Sequence, residues 1–237
     1  MTLAAVLWDM DGLLVDTEPL WTVAEHELAR SIGGTFTREA KAAIVGTRLD
    51  VAVPLLLSSI GLSAEPARVS DAMAWLLQRM VQLYANPLEL MPGAAELLAE
   101  LRSTGVPVAL VSSSYRVLVD AVLAHGAGPF EVTVAGDEVR HGKPDPEPYL
   151  RAAELLGVDP AACVVLEDSA AGMMSGAAAG CAIVAVPSVA EVVVPAEYRL
   201  LEMSSLLDVD TSVLAALAGA RGAGEVVSAR GARRPAP

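Results

Sequence analysis

The chain has 237 residues, a hydrophobic fraction of 54%, a charged fraction of 19% and a formal net charge of −13. That length and apolar content support a buried core and exclude a disordered chain. No run of about 18 residues is free of both charges and helix breakers, which argues against a membrane span, and the acidic balance, with no basic stripe interleaved with aromatics, argues against nucleic acid as a partner.

The opening MTLAAVLWDMDG carries no basic region or cleavage site, so no signal peptide is expected. Residues 3–8 read as a short buried strand that ends in acidic residues. From Pro19 to Asn86 the apolar spacing turns helical, with helices expected at 19–32, 38–45, 49–60 and 69–85. Pro54 is expected to kink or shorten the third. No strand is expected in this stretch, which reads as an all-helical insert.

After Pro92 strands and helices alternate. Helices are expected at 92–102, 116–125, 147–156 and 170–179, and strands at 107–111, 131–135, 163–166 and 182–186. Gly105 and Gly157 suit helix ends. Such alternation with short links predicts an α/β fold with a doubly wound, Rossmann-like parallel sheet, whose ligands sit at the carboxyl ends of the strands. The expected division is a core of residues 1–16 and 87–218, a cap of residues 17–86, and a frayed Gly/Ala/Arg/Pro-rich tail at 219–237. Cys163 and Cys181 lie in apolar stretches without metal-ligand spacing and read as reduced core residues of a cytoplasmic protein.

Polar residues fall where this architecture places chemistry. Asp9 and Asp11 follow the first strand, Ser112 follows the second, and Glu167 with Asp168 follows another. Residues two apart on a strand share a side, so Asp9 and Asp11 can face one ligand. A lone D-x-D pair commonly caps a turn. Two acidic clusters at two strand ends, however, need a cation or a shared proton to relieve their repulsion. An all-oxygen donor set suits Mg²⁺. Lys143, in the loop HGKPDPEPYL, reads either as a solvated turn lysine or as a cation reaching over the strand ends toward a phosphoryl group. Ser112 and the amides beside it, at an expected helix start, can donate to phosphate oxygens. His26, His125 and His141 read as surface or helix-end residues, with His141 alone near the site. The Trp75, Leu76, Met80 and Leu83 stripe reads as cap core.

These residues form an ordered pattern: DMDGLLVDTE at 9–18, LVSSS ending at Ser114, GKPDP around Lys143, and LEDSAAG around Glu167 and Asp168. In this order they resemble the haloacid dehalogenase superfamily of phosphotransferases, to about Pro187. The insert resembles that family's helical cap, and DGLLVDTEPLW with VGTRLD is most similar to the sugar-phosphate phosphatases and β-phosphoglucomutase. The resemblance implies Asp9 as a nucleophile forming an aspartyl-phosphate and Asp11 as acid and base. It implies Ser112 and Lys143 as holders of the phosphoryl group, and substrate contacts from Glu18, Thr47, Arg48 and Ser113. It implies Mg²⁺ held by Asp9, Asp11 through its carbonyl, Asp168 and Glu167, the last directly or through water. A small phosphorylated metabolite is the implied substrate.

Two other readings stay open. The mutase-like sequences place a histidine where this chain has Trp21, which favours hydrolysis over phosphomutation. A non-catalytic binding module on the same fold would be marked by a lost nucleophile or ligand, and none is lost. The single cap lysine, Lys41, does not sit in the context of the family's phosphonate-cleaving lysine.

Overall fold

A computed structural model of the chain describes residues 2–186 and 199–220. Six strands, β1 (Ala5–Trp8), β2 (Val108–Val111), β3 (Val132–Val134), β4 (Cys163–Glu167), β5 (Ala182–Ala185) and β6 (Leu200–Glu202), form one sheet in the order β3-β2-β1-β4-β5-β6. Every pairing is parallel. The central strands are short and buried on both faces, which is why they read as continuous apolar runs rather than alternating ones.

Alternate strand residues enter two separate cores. Val6, Trp8, Val108, Leu110, Val164 and Leu166 pack with α5 (Ala94–Thr104), α6 (Arg116–Leu123) and α9 (Thr211–Gly219). Ala5, Leu7, Ala109, Val111, Val165 and Ile183 pack with α7 (Glu147–Leu156) and α8 (Ala170–Ala178). The sheet is therefore covered on both sides, as the doubly wound class requires. β1 is central, with β2 and β3 on one side and β4 to β6 on the other. The carboxyl end of β1 thus lies at the topological switch point, where open α/β sheets bind ligands.

Four helices, α1 (Glu18–Ser31), α2 (Arg38–Ala42), α3 (Leu49–Ser59) and α4 (Pro66–Tyr84), lie between β1 and α5 and contain no strand. The two connections to them run side by side: Asp16 N donates to Glu89 O at 3.0 Å and Met91 N to Leu14 O at 2.9 Å. Gly12, at φ 80°, makes the turn that carries the chain from β1 into the first connection. No helix among the described residues is long and apolar enough to cross a membrane.

Several expectations need correction. Pro54 neither ends nor shortens α3, because Val53, Leu56 and Leu57 bury that face and packing outweighs one lost backbone bond. α2 ends at Ala42, where the backbone passes into turns. α4 starts at Pro66, three residues before the expected start, with the proline in the first helical position that suits it. The edge strand β6 and helix α9 are additions to the expected elements; a three-residue strand carries almost no periodic signal. Both cysteines are free and buried. The tail expected at 219–237 lies outside the described residues from 221 onward.

Candidate active site

β1 delivers Asp9 to the centre of the sheet edge. Register places Trp8 beside Leu110 and Leu166, so the next residues, Asp9, Val111 and Glu167, converge. Lys143 arrives from the loop before α7. Its Nζ donates to Asp9 Oδ1 at 2.5 Å, Glu167 Oε1 at 2.6 Å and Val111 O at 3.0 Å. Burial works to lower its pKa, but the Asp9 and Glu167 carboxylates outweigh burial and hold the ammonium above its ordinary range. Tyr149 also donates to Glu167 Oε1, at 2.6 Å, while Glu167 Oε2 accepts from Ser169 Oγ at 3.0 Å and from the Asp168 and Ser169 amides, each at 3.2 Å. Glu167 is fully buried. Gly172, in the first turn of α8, leaves it room, since a Cβ there would overlap its carboxylate.

Asp11 turns the other way. Its Oδ1 accepts from Thr17 Oγ1 at 2.7 Å and Tyr84 OH at 3.4 Å, and its Oδ2 from Ser114 Oγ at 2.8 Å and Ser112 Oγ at 3.1 Å. Thr17 stands at the start of α1 and Tyr84 ends α4, so two hydroxyls come from the helical insert and two from the core. Thr17 makes no side-chain cap on α1; its hydroxyl serves Asp11 instead.

Above these residues opens a cleft of about 800 Å³, part of it continuous with solvent. Asp9, Asp11, Ser113, Ser114, Lys143 and Asp168 form its floor, and α1 to α4 form its roof.

The family model for haloacid dehalogenase-like hydrolases matches residues 3–180, which span the whole of this site. The chain belongs to that family. It is 35% identical over 197 residues to Protein CbbY of Rhodobacter capsulatus, covering 79% of this chain and 87% of that protein. It is 33% identical over 187 residues to Hexitol phosphatase B of Escherichia coli K12, covering 78% and 83%. A crystal structure of a CbbY mutant from Rhodobacter sphaeroides in complex with xylulose-(1,5)bisphosphate superposes with a TM-score of 0.80 at 27% identity, over 90% of this chain and 99% of that one.

Within this hydrolase, Asp9, Glu167 and Asp168 are buried and bring carboxylate oxygens within 4.8 Å of one another. Burial pushes Asp9 well above the usual carboxylate range and Glu167 pushes it further; Lys143 offsets part of this, while Asp168 and Asp11 add to it. So much crowded negative charge against one ammonium fits a divalent, oxygen-seeking cation such as Mg²⁺. Both Glu167 oxygens already accept from protein donors, so its evident work is holding Lys143.

The expected site residues divide into three groups. Asp9, Asp11, Lys143, Glu167 and Asp168 converge at the floor, and Ser113, Thr47 and Glu18 line the cleft. Ser112 lies behind the floor: its hydroxyl is committed to Asp11, and it accepts from the Ser114 amide at 2.9 Å. α6 begins at Arg116, as expected, so Ser112 stands four residues before the helix rather than in its first turn. Arg48 does not line the cleft. Its guanidinium pairs with Asp50 and reaches across to the core carbonyls of Gly136 and Val139, each at 3.1 Å, and Arg140 at 3.4 Å.

Among the lining residues that the sequence reading does not assign to the site, Ser114, Trp21, Glu25 and Lys41 carry polar groups into the cleft. Ser114 stands in the LVSSS run. Trp21 and Glu25 follow Glu18 at i+3 and i+7 on one face of α1, a spacing that could have found them. Lys41 lacks the context of a phosphonate-cleaving lysine, yet it meets Glu18 and Glu25 in the roof. Leu76 of the expected core stripe also lines the cleft, whereas His141 does not and is exposed.

Proposed function

We propose that this hydrolase is a Mg²⁺-dependent phosphatase of a small phosphorylated metabolite, a sugar or polyol phosphate, acting through an aspartyl-phosphate. The observation that carries the reading is the buried Asp9 carboxylate, clamped by Lys143 under an open cleft, with a second carboxylate two residues on. The naming of an Escherichia coli relative as a hexitol phosphatase supports the substrate class.

In the first displacement an Asp9 oxygen attacks phosphorus, the ester P–O bond breaks, and Asp11 gives its proton to the leaving oxygen. In the second, water attacks the same phosphorus, Asp11 takes the water's proton, and inorganic phosphate departs with Asp9 restored. One acid/base residue thus serves both steps. To reach the leaving oxygen, Asp11 exchanges at least one of its hydroxyl partners for it. Lys143 neutralises part of the repulsion between carboxylate and phosphate and stabilises the equatorial oxygens. When bound, Mg²⁺ would supply the remaining positive charge, held by Asp9, Asp168 and the Asp11 carbonyl, with Glu167 in support. Ser113 and its amide hold phosphate oxygens, and Thr47 and Glu18 face the leaving group. Trp21 lines the cleft where mutase-like relatives carry a histidine, and an indole moves no proton, so hydrolysis is favoured over phosphomutation.

Phosphate release from p-nitrophenyl phosphate and from a panel of metabolite esters, with Mg²⁺ and with EDTA, tests the reading. Turnover is expected only with the metal. Full turnover in EDTA would refute the metal assignment, and no turnover on any ester would refute the phosphatase.

A further inference from the structure

The floor and roof of the cleft differ in how their charges are balanced. Glu18 and Glu25 project from one face of α1, and Lys41 from α2 lies between them, its Nζ 2.8 Å from Glu25 Oε2 and 3.1 Å from Glu18 Oε2. Lys41 is the only cation of the roof among the described lining residues. Its side chain is 17% exposed and that of Glu25 7%, so this pairing is made largely out of water. Burial raises the Glu25 carboxyl above its ordinary range; Lys41 pulls it back in part and Glu18 pushes it up. Whether or not Glu25 takes a proton, Glu18 alone cancels the Lys41 charge. The roof is therefore neutral or negative. Arg48, the cation of the turn between α2 and α3, is held outside the cleft by Asp50 and by core carbonyls.

We propose that the Glu18–Lys41–Glu25 cluster reads the leaving group and restricts the enzyme to monophosphate esters of uncharged, hydroxyl-bearing alcohols, excluding bisphosphates. This deepens the phosphatase reading and rests on it. A hydroxyl both donates and accepts, so it can bond to either carboxylate and to the ammonium without unbalancing them. A second phosphate would bring about two negative charges to a partly desolvated roof whose one ammonium is already shared. It would have to displace a carboxylate from Lys41 and leave that carboxylate unpaired. Apolar neighbours, among them Ile44, Val53, Leu56 and Leu76, offer no compensating charge. The structural neighbour from Rhodobacter sphaeroides holds a bisphosphate; the roof of this chain opposes one.

The test is steady-state phosphate release by the full chain with Mg²⁺. Hexose and hexitol monophosphates are compared with hexose 1,6-bisphosphates, with p-nitrophenyl phosphate as the reference ester. The best monophosphate should exceed the best bisphosphate in kcat/KM by about 10-fold or more, roughly one tenfold step of discrimination. Glu25→Gln and Glu18→Gln should each raise the bisphosphate-to-monophosphate ratio, since each frees part of the Lys41 charge; Lys41→Met should lower it. Should the buried Glu25→Gln not fold, Glu18→Gln, at a side chain 35% exposed, carries the comparison. A wild-type preference for bisphosphates, with p-nitrophenyl phosphate still hydrolysed, would overturn the inference alone, as would a ratio unmoved in the folded variants. Silence on every ester would overturn the phosphatase reading and the inference with it.

Discussion

Glu167 and Glu25 are both buried glutamates paired with a lysine, one under the floor of the cleft and one in its roof. Glu167 receives Lys143, Tyr149, the Ser169 hydroxyl and two backbone amides, and a glycine is placed to make room for it. Glu25 shares Lys41 with Glu18, and most of the other side chains that line the roof are apolar. The floor is over-determined at Asp11, Lys143 and Glu167, each held by several partners from different parts of the chain, which favours one geometry for the atoms around them. The charged cluster of the roof rests on side chains from α1 and α2 and on one ammonium. In the proposed function, reaction chemistry is thereby fixed in the sheet, and selectivity is assigned to a region that a few substitutions can retune.

The largest expected effect tests the floor. Asp9→Asn keeps the shape of the side chain and its place beside Lys143 but removes the proposed nucleophile. Turnover on every ester should fall by about 10³-fold or more, with a native thermal melt and no covalent phosphoenzyme on acid quench. A phosphoenzyme still formed by the Asn variant would remove Asp9 from its role.

That floor is also the most legible part of the sequence, for a physical reason. Buried parallel strands are short apolar runs, and the residues just beyond them face the site by construction, so Asp9, Glu167 and Asp168 can be placed by counting. Lys143 needs its loop to fold back over the strands; the sequence leaves that open beside a solvated turn lysine, and the family pattern favours it. The roof is harder. Lys41 and Glu25 lie on different helices, and no local spacing announces that two helices will cross at those residues. The four hydroxyls around Asp11 come from Thr17, Tyr84, Ser112 and Ser114, scattered along the chain and joined only by tertiary packing. β6 escapes because an edge strand of three residues has no periodicity to read.

Gly172→Ala sharpens the comparison at intermediate size. The added methyl must displace the Glu167 carboxylate, which is buried and tied to Lys143. Overpacking of this kind costs about 1–3 kcal/mol. Chemical denaturation should show a loss in that range, and kcat should fall on sugar phosphate and p-nitrophenyl phosphate alike, because the floor serves both. A loss on the sugar ester alone would mean that the floor also contributes to selectivity.

The smallest effect concerns the seam between the two regions. The family pattern assigns Arg48 to the substrate, yet its guanidinium grips Asp50 on its own helix and three carbonyls of the loop that leads to Lys143. It ties roof to floor. The Arg48–Asp50 pair is partly exposed, with side chains 16% and 41% accessible, so water screens much of its worth. The bonds to carbonyls matter more, since they hold α3 and its turn down over the cleft. Arg48→Ala should therefore lower kcat/KM by about 3–10-fold, a loss of order 1 kcal/mol. The factor should be similar for a sugar phosphate and for p-nitrophenyl phosphate, because the guanidinium holds the core rather than a leaving group. Arg48→Lys should recover little, as an ammonium cannot span Asp50 and the carbonyls at once. A loss confined to the sugar phosphate would return Arg48 to the substrate. No loss on either ester would show that the roof holds its place without this tie.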